Sequence, residues 1–120
     1  MGKFSKIILS GSTDGQGIVI SATTPTGTIL HTAITGQTDA YDEVWLYAYS
    51  AATIAQSLTL MVGVTTATGS RLTHTIPADD LNGLVLIYPG LPIRNAKVIK
   101  GSATTAAAFN MFGFANRFTT

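Results

Sequence analysis

Residues 42–64, DEVWLYAYSAATIAQSLTLMVGV, alternate apolar and polar positions in two runs joined by a short loop of small residues. A strand sends successive side chains to opposite faces. Val44, Leu46 and Ala48 therefore share one face, and Glu43, Trp45, Tyr47 and Tyr49 the other. In the second run Leu58, Leu60 and Val62 oppose Ser57, Thr59 and Met61. This reads as a central hairpin whose aliphatic side enters a core. Its other side presents Trp45, Tyr47 and Tyr49 beside Thr59 and Met61, and so many rings imply a cover.

The same period runs along the rest of the chain. Residues 3–10 suit a first strand, and residues 10–17 form a turn cluster with Asp14-Gly15, the strongest hairpin signal present. Residues 18–23 and 28–34 are apolar runs divided by Pro25 and Gly27. Residues 71–76 alternate Leu72, His74 and Ile76 against Arg71, Thr73 and Thr75. Residues 67–70 read as a turn, and residues 77–83 hold two turn signals, Asp79-Asp80 and Asn82-Gly83. Residues 84–88 form a fully apolar strand that Pro89-Gly90 and Pro92 interrupt, and residues 96–101 a modest one. Residues 106–118 are apolar on both faces, with Gly113 a candidate bulge. Eight or nine short strands with turns every eight to twelve residues predict one all-β domain over residues 1–120, a jelly-roll-like β-sandwich with almost no helix.

Composition sharpens this picture. Only 11% of residues are charged, well below the ~25% of an average globular chain. Mean hydropathy is +0.34, yet no apolar run approaches the ~20 residues of a membrane-spanning helix. A surface rich in Thr, Ser, Ala and Gly with a net charge of +1 favours association. Lys3, Lys6, Arg71, Arg94, Lys97, Lys100 and Arg117 are dispersed, which disfavours nucleic-acid and anionic-membrane binding. The absence of cysteine removes disulfide and thiolate chemistry. Residues 7–9 are too short an apolar run for a signal peptide, so the chain reads as lacking a targeting segment.

Candidate chemistry is sparse. Asp14, Asp39, Asp42, Asp79 and Asp80 fall in or beside expected turns, where Asp caps backbone, and only Glu43 lies within a strand. His31 and His74 are too few for a zinc site, and His74 reads as a half-buried, hydrogen-bonded side chain. There is no Gly-x-Ser-x-Gly elbow, and Gly15-x-Gly17 lacks the third glycine and helix of a nucleotide loop. No catalytic residue, metal or cofactor is expected. The aromatic side of residues 43–49 admits three readings: a covered internal layer, a subunit interface, or a sugar-stacking platform.

Several motifs are familiar. Glu43-Val44-Trp45-Leu46-Tyr47-Ala48 followed by Leu58-Thr59-Leu60 resembles small all-β virion proteins of tailed bacteriophages, cyanophages included. Ile76-Pro77-Ala78, Gly83-Leu84-Val85-Leu86 with Pro89-Gly90-Leu91, and Gly113-Phe114-Ala115-Asn116-Arg117 are similar as well. The resemblance covers roughly residues 42–118, and residues 51–55 depart from it in being less polar. It implies a non-enzymatic β-sandwich that decorates and cements the outer capsid surface. Alternatives are a tail or head–tail connector component, or a glycan-binding module on the particle. The implied partners are the major capsid protein and copies of the chain itself, by analogy as a homotrimer. The implied location is the virion, assembled in the host cytoplasm. Trp45, Tyr47, Tyr49, Phe112 and Phe114 are the expected interface residues.

Overall fold

A computed structural model describes residues 2–24, 27–36, 38–63, 71–77 and 83–119. Nine strands follow in order: β1 (Lys3–Ile8), β2 (Ile18–Val19), β3 (Thr28–Thr32), β4 (Tyr41–Ser50), β5 (Gln56–Val62), β6 (Arg71–Ile76), β7 (Leu84–Ile93), β8 (Val98–Ala103) and β9 (Phe109–Thr119). No helix occurs among the described residues. One antiparallel sheet runs β1-β9-β4-β7, with β2 also paired to β9. The other runs β3-β8-β5-β6. The expected β-sandwich is therefore what forms, and its strand order is that of a jelly roll: from β3 onward, each consecutive strand changes sheet except at the β5–β6 step.

That topology overturns the central hairpin. β4 and β5 do not pair; β4 lies between β9 and β7, and β5 between β8 and β6. The small-residue loop carries the chain across the sandwich instead of turning it within one sheet. The aliphatic faces still meet, because Val44, Leu46 and Ala48 from one sheet and Leu58 and Leu60 from the other are all fully buried in one core. Trp45, Tyr47 and Tyr49, however, are on the outside of one sheet, and Thr59 and Met61 on the far side of the other. There Thr59 Oγ1 lies 3.2 Å from Thr73 Oγ1 across the β5–β6 pair.

The Asp14-Gly15 turn exists, with φ of 55° and 84°, but joins strands that do not pair with each other. β1 and β2 lie end to end along the same edge of β9, opposite residues 114–119 and 110–111. The intervening loop is an excursion from that edge, pinned by buried Leu9 and by the Gly11 N–H donating to the Leu30 carbonyl at 2.9 Å.

Pro89 and Pro92 do not end β7, which runs on to Ile93. β7 is an edge strand, so a missing N–H can face away from the ladder. Its register against β4 shifts twice, and Gly90, at φ 83°, takes up one shift in a conformation that favours glycine. Gly113 makes no bulge, since it pairs with Leu46 in an unbroken β4–β9 register. Glycine is required there because a Cβ would run into the Trp45 carbonyl oxygen. The turns expected at residues 67–70, at Asp79-Asp80 and at Asn82 lie outside the described residues.

Candidate interaction face

β4 and β9 are the two central strands of the first sheet, and their register decides which rings meet. Tyr41 pairs with Phe118, Glu43 with Asn116, Trp45 with Phe114 and Tyr47 with Phe112. From Val44 onward the inward positions are apolar and buried, Val44, Leu46, Ala48, Met111 and Ala115, whereas the Asp42–Arg117 pair is the charged one. Alternation therefore turns all five expected interface residues, Trp45, Tyr47, Tyr49, Phe112 and Phe114, onto one outer face. Each is half-buried, and none belongs to the core.

Neighbouring strands extend that face. β1 adds Phe4 and Ile8 through the pairs Phe4–Phe118 and Ile8–Phe114. β2 adds Val19 opposite Asn110, and β7 adds Leu84 and Leu86 opposite Tyr49 and Tyr47. These five are the open part of the surface, exposed by 58% (Phe4), 52% (Ile8), 47% (Val19), 53% (Leu84) and 45% (Leu86). Sequence reasoning missed them. The one signal was the two-sided apolar character of residues 4–9, which an isolated edge strand would not need.

The rings pack laterally. Trp45 and Phe114 are stacked, with centroids 6.0 Å apart and planes 9° from parallel. Phe118 sits between Phe4 (5.0 Å) and Tyr41 (5.4 Å). Lys6 Nζ stands 4.3 Å from the Phe114 ring centroid, a cation over a π face. The Trp45 indole N–H donates to Glu43 Oε1 at 2.9 Å, and Asn116 Nδ2 donates to the same oxygen at 3.2 Å. Those two donors, Trp45 first, hold the Glu43 carboxyl below its ordinary pKa. A cleft of about 320 Å³ opens at one end, lined by Tyr41, Pro92 and Arg94.

A second cluster ties the sheets together. The β3 register shift between Ile29 and His31 turns both Leu30 and His31 inward, so His31 is fully buried. Its Nδ1 accepts the Ser10 backbone N–H at 3.0 Å, which leaves the proton on Nε2 to be donated to Asp42 Oδ2 at 2.7 Å. Arg117 closes a bidentate pair on Asp42, Nε to Oδ1 and Nη2 to Oδ2, both at 2.8 Å. The Ile34 N–H adds a fourth donor at 3.2 Å. Burial alone would raise the Asp42 pKa, but the bonds from Arg117 and His31 outweigh it and the net shift is downward. Asp42 is thus no turn cap, as its sequence position suggested, but a buried carboxylate inside a strand. Ser10 Oγ accepts the Thr32 N–H at 2.7 Å, and the backbone N–H on His31 Nδ1 leaves no ring nitrogen free to act as a base toward it.

His74 is half-buried as expected, but the expected hydrogen bond is not found at its Nε2, which is shielded from water and has no partner among the described residues. The ring meets Tyr88 edge-on at 6.0 Å, and the Tyr88 hydroxyl is likewise buried without a partner. Burial pushes the Tyr88 phenol up to about 12. No group of three or more His, Asp or Glu able to hold a metal occurs among the described residues.

Fold and face together define a jelly-roll sandwich with one aromatic outer side and one mixed outer side, where Thr59, Thr73 and Ser102 lie beside Lys100 and Arg71. Comparison with protein-family models, curated proteins and solved structures finds no match for this chain.

Proposed function

We propose that this protein is a structural component of a tailed-phage particle that coats the outer capsid surface and stabilises the shell, with the aromatic side of the β1-β9-β4-β7 sheet as a contact surface in that assembly. The observation that carries this reading is the run of half-buried rings flanked by exposed Phe4, Ile8, Leu84 and Leu86, a contiguous open apolar surface of the kind that marks an interaction site. The resemblance of residues 42–118 to phage virion proteins supplies the setting. Jelly rolls serve in viral capsids and in lectins, an analogy of fold and not of site. A domain repeated over a shell favours the assembled state by mass action, and apolar contacts persist in salt that screens charged ones.

Particles purified with and without the protein and then heated should break at different temperatures, with the decorated ones surviving longer. Tyr47→Ala or Phe114→Ala should abolish the difference. Equal breakage temperatures would sink the cement role, and labelling confined to the tail or neck in electron micrographs would replace it with a connector role.

A further inference from the structure

We propose that the aromatic side of the first sheet binds a second copy of this chain, face to face, about a two-fold axis running along β9. The inference rests on the reading above that this side is a contact surface, and it names the occupant.

The rows across the strands make the face complementary to itself. Lys6, Asn116 and Glu43 form one row, with Asn116 of β9 in the middle and the two charges one strand away on either side. Rotation by 180° about β9 exchanges the flanks, so Lys6 of each copy meets Glu43 of the other while Asn116 lies over Asn116. The next rows behave alike. In Phe4–Phe118–Tyr41 the exchange sets Phe4 against Tyr41, and in Ile8–Phe114–Trp45 it sets Ile8 against Trp45. Lys6 and Glu43 are the only charges among the described strand residues of this face. The face therefore carries one of each sign and cancels itself on pairing. An isologous contact requires this kind of self-match. An interface without it would bury an unpaired charge on each side.

The area is modest. β4 has 10 residues and β9 has 11, so the face is roughly 33 Å long at ~3.3 Å per residue. The three strands that overlap under the rotation span about 14 Å at ~4.8 Å each. Because β1 has only 6 residues, the overlap is a flat footprint of roughly 400 Å² per copy, or about 800 Å² in all before side-chain relief is counted, smaller than a standard interface, so the charge match carries the specificity. The pairing leaves the outer side of the β3-β8-β5-β6 sheet facing outward on both copies.

Sedimentation equilibrium on the full chain, with no particle present, tests this directly. The wild-type protein should be a dimer at 10 µM. Lys6→Glu and Glu43→Lys should each weaken dimerisation at least tenfold, and the double exchange should restore it to within about threefold. Phe4→Glu, at an exposed ring outside the core, should give a monomer with an unchanged circular dichroism spectrum. A wild-type monomer at 100 µM, a trimer, or single exchanges without effect would overturn the proposal. The decoration reading fails separately: a dimer obeying these exchanges that leaves particles unprotected disproves only the capsid role. A monomer whose face variants lose particle binding disproves only the pairing.

Discussion

Arg117 grips both carboxylate oxygens of Asp42, with each contact at 2.8 Å, although the two residues stand 75 positions apart in the chain. The Asp42 side chain is fully buried and that of Arg117 is 29% exposed. The pair locks the start of β4 to the end of β9, and the His31 bond to the same carboxylate joins that end of the first sheet to the second. Removing one partner strands a buried charge. Arg117→Ala should therefore cost about 3 kcal/mol, read as a lower urea midpoint at unchanged slope. Arg117→Lys should recover only part of that, because an ammonium cannot make the two parallel bonds.

The same carboxylate sets the acid limb of stability. The folded-state pKa of Asp42 lies below its ordinary value of 3.8. Its ionised form therefore contributes stability that is present above pH ~4 and is lost as pH falls through the lower folded value. Urea midpoints measured from pH 6 down to pH 2 should fall most steeply below pH 4. Asp42→Asn should lower the midpoint at neutral pH and flatten that acid limb.

Tyr88 sets the alkaline limb with the opposite sign. Its phenol is held neutral up to about 12 in the folded chain, whereas the unfolded chain ionises near 10. Stability is thus unaffected below pH 10 and declines as pH rises from 10 to 12, by about 2 kcal/mol in all. Tyr88→Phe should remove this decline. It should also raise stability at neutral pH by about 1 kcal/mol, because it deletes a buried hydroxyl that has no partner among the described residues.

Leu46 faces the core with no exposure, directly opposite Gly113 in the β4–β9 ladder. Leu46→Ala should cost about 2–5 kcal/mol, while Tyr47→Phe, one position along on the outer face, should change the monomer's urea midpoint little. Far-UV circular dichroism of both variants should keep the same strand signature.

The alternation of residues 42–50 and 57–62 was enough to determine those strands, their inner and outer faces, and the placement of Trp45, Tyr47 and Tyr49 away from the core; Phe112 and Phe114, in a run apolar on both faces, were placed there by the β4–β9 register. Period two is a local property, so it survives in the sequence. Which strands become neighbours is not local. The loop of residues 51–55 can as easily turn within a sheet as cross between sheets, and only the packing of the two aliphatic layers chose the crossing. That choice separated Thr59 and Met61 from the rings and brought Phe4, Ile8, Leu84 and Leu86 to them. His31, Asp42 and Arg117 illustrate the same limit. Asp42 beside a polar loop reads as a cap, and a bulge in β3 cannot be seen in the letters of residues 28–32. The buried pair exists because tertiary contacts bring three distant strands to one end of the sandwich, where a charge excluded from water must find its partners in the protein.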